Sequence, residues 1–132
     1  MKEQLLAKFE QDPFANLLDI KIKEVREGYA RVEGLVREDY QNFNQVCHGG
    51  FIFTLADVAF SFASNSHNQQ AYAVNVSLDF LAGARPGDRL VGEAEEIRIA
   101  GRLGFYQMRV WREQTLIARC QAIVYRKDQP VV

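Results

Sequence analysis

The sequence predicts an α+β fold in which a curved antiparallel β-sheet wraps around one long central helix. The segment from Phe51 to Ala63 is apolar at nearly every position, which is typical of a helix buried on most sides. Alternating polar and apolar segments, typical of half-buried strands, stand before and after it, two upstream and four downstream. Links of hairpin length favour antiparallel pairing of consecutive strands. The predicted element order is therefore β-β-α-β-β-β-β.

Upstream of the central helix, the sequence predicts a short surface helix followed by a β-hairpin. Asp12-Pro13 ends the short helix, and the apolar side chains that follow, Phe14, Leu17 and Leu18, are expected to enter the core. Glu27-Gly28 marks the turn of the hairpin. The expected elements are a helix over residues 3–10, a strand over 18–23 and a strand over 29–36.

Downstream of the helix, four alternating segments predict the remaining strands. The first is expected to place five apolar side chains on one face: Tyr72, Val74, Val76, Leu78 and Phe80. In the second, the apolar phase slips at Glu95-Glu96, which predicts a β-bulge. His67 is expected to be solvent-exposed, and the chain from Lys127 onward to be a loose tail.

Composition restricts the class of protein. The 132 residues fit a single domain spanning 1–132, with 48% hydrophobic and 25% charged residues. A net charge of −1 argues against nucleic acid or an acidic membrane as the main partner. No apolar run reaches the roughly 18 residues of a membrane span, and the N-terminus does not resemble a signal peptide. Cys47 and Cys120 are expected to be buried and reduced, so we expect a cytoplasmic protein.

The central helix and the residues just before it form the candidate site. Only Thr54, Asp57 and Ser61 interrupt the apolar run, and their spacing places them on one helix face. A carboxylate there is costly to desolvate unless it is paired or used in chemistry. Before the helix, the glycines of His48-Gly49-Gly50 permit close approach of another molecule. The first amides of the helix are unpaired donors at its positive end.

A distance argument separates the two halves of this candidate site. Gly49 and Asp57 are eight residues apart in the sequence, which is roughly 12 Å along a helix. The two groups of one chain therefore cannot both touch one reacting carbonyl. Two antiparallel copies of the helix would bring the Asp57 of one close to the Gly49 of the other. If both groups serve one reaction, the site lies between two chains and the protein is an obligate homodimer.

Several motifs together carry a resemblance to a known family. They are Asn42, His48-Gly49-Gly50, Ala56-Asp57-Val58-Ala59-Phe60, Asp79-Phe80-Leu81 and Pro86-Gly87-Asp88. On these motifs, residues 18–127 resemble the hotdog-fold thioesterases of the PaaI type, the phenylacetic acid degradation proteins. The resemblance implies a hotdog fold and an acyl-CoA thioesterase, a thioester hydrolase. It also implies homodimers with antiparallel helices and sites between subunits, often paired into homotetramers.

The resemblance also implies roles for individual residues. Asp57 would be the general base or the nucleophile, and Gly49 would donate its backbone amide to the thioester oxygen. Asn42 would orient the attacking water or the carbonyl, and His48 would shape the helix start. Coenzyme A is part of the substrate, so no cofactor is expected. No metal is expected either, because the histidines and carboxylates show no ligand spacing.

Each of these residues also has an ordinary structural interpretation. His48 is either a structural residue at the helix start or a direct ligand contact, and Asn42 could simply cap its loop. Thr54 and Ser61 could bond back to their own helix, although Thr54, with Gly50 and Phe51, is a candidate for substrate binding. Among Arg85, Arg89 and Arg102, all consistent with surface charges, Arg102 is the preferred candidate for contacting the CoA phosphates.

The predicted function is hydrolysis of an aryl- or medium-chain acyl-CoA, similar to phenylacetyl-CoA, to the free acid and CoA. One alternative is an acyl-thioester hydratase or dehydratase on the same fold, in which His48 and Asp57 would act on one β-carbon. The other is a non-catalytic acyl-CoA-binding protein. The sequence leaves the acyl group and the choice between dimer and tetramer open.

Overall fold

A computed structural model describes residues 2–132 and shows six antiparallel strands around one long helix. The helices are α1 (Glu3–Glu10), α2 (Pro13–Leu17) and α3 (Gly49–Asn65), with a short 3₁₀ helix over Glu38–Tyr40. The strands are β1 (Lys21–Arg26), β2 (Tyr29–Leu35), β3 (Ala71–Phe80), β4 (Arg89–Ala100), β5 (Leu103–Arg112) and β6 (Thr115–Arg126). The α+β class and the chain order of strands around the central helix are confirmed.

The sheet order is β1-β2-β4-β5-β6-β3, so one predicted neighbour relation is wrong. β3 pairs with β6 at the edge of the sheet instead of with β4, which follows it in the chain. The reason is the link over residues 81–88, which is no tight hairpin. Gly87 donates to the Val36 carbonyl and Val36 donates to the Asp88 carbonyl, each at 2.8 Å. These bonds hold the link at the end of β2 and start β4 beside β2.

The core forms where α3 lies against the middle of the sheet. Leu55, Ala56, Ala59 and Ala63 are fully buried in α3, and three of these are alanines that let the helix approach closely. On β4, a Cβ added at Gly92 would lie 2.8 Å from the Leu55 carbonyl oxygen. The sheet therefore meets the helix backbone directly at this glycine.

Two β-bulges set which side chains face the helix. The predicted bulge in β4 is confirmed, because its register with β5 shifts between Glu96 and Arg98. A second shift, between Ala73 and Asn75 in β3, was not predicted. It turns Tyr72 to the face of Tyr125, its exposed partner on β6, while Val76 and Leu78 pack against the core. The prediction that Tyr72 shares their face is wrong.

The segment before β1 differs from its prediction. Phe14 and Leu17 are 55% and 69% exposed, so the expectation that they enter the core is wrong in this chain. Leu18 does pack against the core. Pro13 begins the additional helix α2, whose first turn is capped by the Asp12 carboxylate accepting from the Ala15 amide at 2.9 Å. α1 has the predicted bounds, but β1 begins later than predicted, at Lys21.

The last residues are not a loose tail, as they were predicted to be. Lys127 donates to the Gln70 carbonyl at 2.8 Å, and Gln70 donates to the Gln129 carbonyl at 2.9 Å. The Asn68 side-chain oxygen accepts from the Val131 amide at 3.1 Å. These bonds add a short extended piece beside the start of β3.

His67 is not solvent-exposed as predicted. Its Nε2 lies 2.7 Å from Glu96 Oε1, and the Tyr106 hydroxyl donates to the same oxygen at 2.8 Å. Its side chain is half-buried, and the contact joins the end of α3 to β4 and β5. Cys47 and Cys120 are free and buried, as predicted. Within residues 2–132, no helix combines the length and apolarity that crossing a bilayer requires.

The close approach at Gly92 predicts a large effect of one methyl group. Gly92→Ala should lower the free energy of unfolding by about 1–3 kcal/mol, because the Leu55 backbone cannot move aside without repacking the core. Gly83→Ala is the matched control, since nothing lies within 4 Å of a Cβ at Gly83. It should leave stability within about 1 kcal/mol of wild type. Urea unfolding measures both, and equal stabilities would contradict the close packing.

Candidate active site

The strand-like segment just before α3 is held from both sides. Asn42 donates to the Val46 carbonyl and His48 donates to the Tyr40 carbonyl, each at 2.8 Å. Between them, Cys47 donates to the Ala84 carbonyl at 2.8 Å. Neighbouring residues of an extended chain direct their backbone groups to opposite sides. The helix start therefore lies between residues 40–42 on one side and residue 84 on the other.

His48 caps the central helix. Its Nδ1 accepts a hydrogen bond from the Gly50 amide at 2.9 Å, and its carbonyl accepts from the Phe51 amide at 3.0 Å. The structural role that the sequence left open for His48 is thus present in the fold. The cap also occupies the Gly50 amide. A substrate therefore cannot accept a hydrogen bond from this predicted substrate-binding residue, although the absence of a side chain still lets it approach the backbone.

The backbone amide of Gly49, unlike those of Gly50 and Phe51, has no acceptor within residues 2–132. Gly49 is the first residue of α3, where an N–H group has no partner within its own helix. The Phe80 ring, at the end of β3, would lie 3.1 Å from a Cβ added at Gly49. Gly49 thus presents a donor at the positive end of α3, beside the last residue of the edge strand.

Asn42 stabilises its own loop with one end of its side chain. Its Oδ1 accepts from the Asn44 amide at 2.8 Å and lies 3.5 Å from the Val46 amide. The Nδ2 group has no acceptor within residues 2–132. Loop capping is therefore present, and the amide nitrogen stays available as a donor.

Asp57 lies on the partly exposed face of α3, which also carries Thr54 and Ser61. Its carboxylate has no hydrogen-bond or ion-pair partner within residues 2–132. Thr54 and Ser61 on the same face donate instead to carbonyls of their own helix, those of Gly50 and Val58, at 2.7 and 2.8 Å. Burial raises the pKa of the Asp57 carboxyl above its ordinary value of 3.8, and the charge of Asp12 adds to the rise. Asp57 is thus an unpaired acid whose ionised form is costly.

The helix start and Asp57 open on two different cavities. A cavity of about 510 Å³ lies beside the helix start and contains four of the predicted residues: His48, Gly50, Phe51 and Thr54. Asp57 lines a second cavity of about 460 Å³, together with Ser61 and residues 71–73 at the start of β3. One chain therefore does not bring Asp57 together with the other predicted groups.

Arg102 lies at the opposite end of the sheet from Gly49. Arg102 is in the turn between β4 and β5, and its guanidinium donates to Asp128 Oδ2 at 2.6 Å. Strand pairing places this turn at the level of Tyr125 and Tyr72, at the start of β3, whereas Gly49 lies at the end of β3. Residues 2–132 contain no group of three or more His, Cys, Asp or Glu side chains placed to hold a metal.

Sequence reasoning named Phe51 but missed two other aromatic residues beside the helix start, Tyr40 and Phe14. Tyr40 stacks on Phe51 with ring centroids 4.5 Å apart, and Phe14 lines the same cavity from α2. Tyr40 lies in a 3₁₀ helix and Phe14 in a helix of five residues. Both elements are too short to leave a periodic signal in the sequence.

Comparisons with known proteins agree on one family. The family described as the thioesterase superfamily matches residues 44–118. A putative esterase of Archaeoglobus fulgidus is 42% identical over 92% of this chain and 79% of its own length. The acyl-coenzyme A thioesterase PaaI of Escherichia coli is 36% identical over 82% of this chain and 77% of its own. The solved structure of E. coli PaaI matches with a TM-score of 0.92 over 96% of this chain and 93% of that one, at 32% identity.

The raised pKa of Asp57 predicts that its removal stabilises the fold. Because the folded state disfavours the ionised acid, the stability lost to Asp57 grows as the pH rises through its unfolded-state pKa and is complete above its higher folded-state pKa. Asp57→Asn should therefore raise the melting temperature at pH 8, and the gain should shrink as the pH falls toward 4. Asp128→Asn is a control with the opposite sign. Because the Arg102 hydrogen bond lowers the pKa of Asp128, this substitution should not raise the melting temperature at pH 8. A lower melting temperature of Asp57→Asn at pH 8 would contradict the assignment.

Proposed function

The chain belongs to the thioesterase superfamily as a hotdog-fold acyl-CoA thioesterase of the PaaI type, and we propose that its active site forms between two copies of the chain. We further propose that it releases an aryl or medium-length acyl group as the free acid. The observation that carries the proposal is the placement of Gly49 and Asp57 at opposite ends of one open edge strand.

The two edges of the sheet differ in their suitability for pairing. β1 has four charged side chains among its six residues, which protects an edge from association. β3 has ten residues and a single charged one, Asp79, and no strand within residues 2–132 pairs with its other edge. Val74 and Phe80 are exposed along it. β3 is therefore the edge that supports pairing with a second copy.

Pairing of two β3 strands would complete the site. In an antiparallel pair related by a two-fold axis, the end of each strand lies beside the start of the other. Gly49 lies against Phe80 at the end of β3, and the Asp57 cavity is lined by residues 71–73 at its start. The pair would thus bring the free amide of one copy to the unpaired carboxylate of the other. Two equivalent sites would result.

The cavity at the helix start supports an aryl or medium-length acyl group. Its volume of about 510 Å³ is within the usual range for ligand pockets. Its apolar walls are mostly aromatic: Phe14, Tyr40, Phe51 and Phe53, with Leu18. Flat apolar surfaces of this kind favour contact with a ring. His48 and Gly50 line the same cavity, so a bound acyl group would place its carbonyl near the helix start.

The proposed reaction uses the free groups of both copies. The Gly49 amide donates to the thioester oxygen and stabilises the negative charge that forms there. Asp57 of the partner copy either removes a proton from the attacking water or adds directly to the carbonyl carbon. The Asn42 amide nitrogen orients the water or the carbonyl. The carbon–sulfur bond then breaks, and the CoA thiolate leaves and takes up a proton. Where Asp57 has added to the carbon, water hydrolyses the resulting mixed anhydride, which releases the free acid and restores the carboxylate.

The geometry of His48 favours hydrolysis over hydration of an enoyl thioester. Its Nδ1 accepts from the Gly50 amide, so a neutral imidazole carries its proton on Nε2 and has no free acceptor nitrogen with which to take a proton from water. Release of free CoA thiol, measured with phenylacetyl-CoA and a medium-chain acyl-CoA, would support the proposal. A change in enoyl absorbance without thiol would support the alternative, and binding without turnover would support an acyl-CoA-binding protein. From the family resemblance, we also propose a homotetramer, a cytoplasmic location and a role in phenylacetate degradation.

Gly49 offers a substitution that removes only the proposed donor. Proline lacks an N–H group and is accepted at the first position of a helix. His48, with φ −61° and ψ 135°, has the extended conformation required before a proline. Gly49→Pro should therefore fold and lower kcat for acyl-CoA hydrolysis by about 100- to 1,000-fold.

Gly49→Ala is the matched control for this prediction. It adds the same Cβ against the Phe80 ring but keeps the amide donor. Its kcat should stay well above that of Gly49→Pro in the same thiol-release assay. Equal kcat values for the two folded variants would show that the Gly49 amide makes no contribution to the reaction.

A further inference from the structure

The position of the CoA phosphates follows from the two sides of the helix start, if the proposed function holds. The cavity proposed for the acyl group lies on the side of residues 40–41. On the opposite side, Cys47 donates to Ala84 in the link over residues 81–88. An acyl-CoA with its carbonyl at Gly49 and its acyl group in that cavity has its sulfur directed away from the cavity. The link therefore lies on the side toward which the CoA arm extends.

Three arginines at this end of the fold already have acidic partners. Arg37 pairs with Asp39 at 2.9 Å, Arg89 with Glu33 at 3.2 Å and Arg119 with Asp79 at 3.1 Å. Within residues 2–132, two arginines on or against the link have no ion pair. They are Arg85 and Arg112.

We propose that Arg85 and Arg112 bind the phosphate groups of the coenzyme A portion of the substrate. Phosphate groups are anionic ligands with several acceptor oxygens, and guanidinium groups match them with paired donors. The preferred candidate from the sequence, Arg102, is neutralised by Asp128. Arg85 and Arg112 have no carboxylate to displace.

The surrounding contacts position both side chains without neutralising them. Arg112 Nη1 donates to the Gly83 carbonyl, which leaves the other donors of the guanidinium free. The Asp88 carboxylate, the acid closest to Arg85 in the link, accepts from the Arg85 backbone amide at 2.9 Å. It thus fixes the turn and makes no ion pair with the Arg85 side chain. Nothing lies within 4 Å of a Cβ at Gly83, so the link is open at this residue, beside the Arg112 guanidinium.

The test compares substrates with and without phosphates. Arg85→Ala/Arg112→Ala should raise KM for an acyl-CoA by about tenfold or more, the loss expected for about 1.4 kcal/mol of binding. Its kcat/KM for the same acyl group on N-acetylcysteamine, which has no phosphate, should equal that of wild type. Arg98→Ala, which removes an exposed arginine without an ion pair within residues 2–132, is the matched control and should change neither value.

Binding of free CoA, measured by calorimetry, tests the inference independently of turnover. The double variant should bind CoA about tenfold more weakly than wild type and pantetheine equally well. Equal CoA affinities, equal losses for both thioester substrates, or a larger effect of Arg102→Ala than of the double variant would overturn the inference. Failure of the proposed function is distinguishable, because a site within one chain or a different acyl preference would appear in the turnover of wild type and would leave its binding of free CoA unchanged. CoA binding would still decide the role of the two arginines.

Discussion

The length of α3 between the Gly49 amide and the Asp57 carboxylate is the constraint on which the rest of the site depends. A helix is rigid, so the two groups cannot approach each other within one chain. The cap by His48 fixes one end of this distance and leaves Gly49 as the free donor. The buried alanines and Gly92 fix the helix against the sheet, and the sheet in turn positions the open strand β3. A second copy is what the geometry requires to bring donor and acid together.

The position of Asp57 creates a conflict between the stability of the fold and its proposed chemistry. Asp57 is half-buried and has no partner within residues 2–132; burial raises its pKa and makes its ionised form costly to the fold. Thr54 and Ser61, which could have donated to it, bond to their own helix instead. An acid left without donors is poorly solvated and so a stronger base than an exposed one. The fold gives up some stability to hold it there.

The sequence was sufficient for the features that depend on local pattern. The apolar run of α3, the alternation of the strands and the bulge near Glu96 follow from periodicity, and they agree with the structure. The second bulge, which turns Tyr72 outward, leaves the alternation of β3 intact and so gives no signal. Likewise, His67 looks like a loop residue until Glu96, distant in sequence, is placed beside it.

In the candidate site, too, some features are visible in the sequence and others depend on the folded structure. The motif around His48-Gly49-Gly50 and the spacing to Asp57 are visible in the sequence, but the roles assigned to these residues stay predictions until tested. That the Gly50 amide is occupied depends on the side-chain conformation of His48, which the sequence does not specify. Which arginines lack an ion pair within residues 2–132 depends on contacts between distant residues, such as Arg89 with Glu33 and Arg119 with Asp79. The edge position of β3 depends on a crossing link that hairpin logic does not anticipate.

Subunit complementation tests the central claim most directly. A heterodimer of one Asp57→Asn chain and one Gly49→Pro chain, isolated with two affinity tags, contains one intact site of two. It should recover about half of the wild-type kcat, although either variant alone is inactive. A heterodimer of wild type with a chain carrying both substitutions should be inactive, because each site would lack one group. Activity of that second heterodimer, with none from the first, would place both groups of each site in one chain and contradict the account.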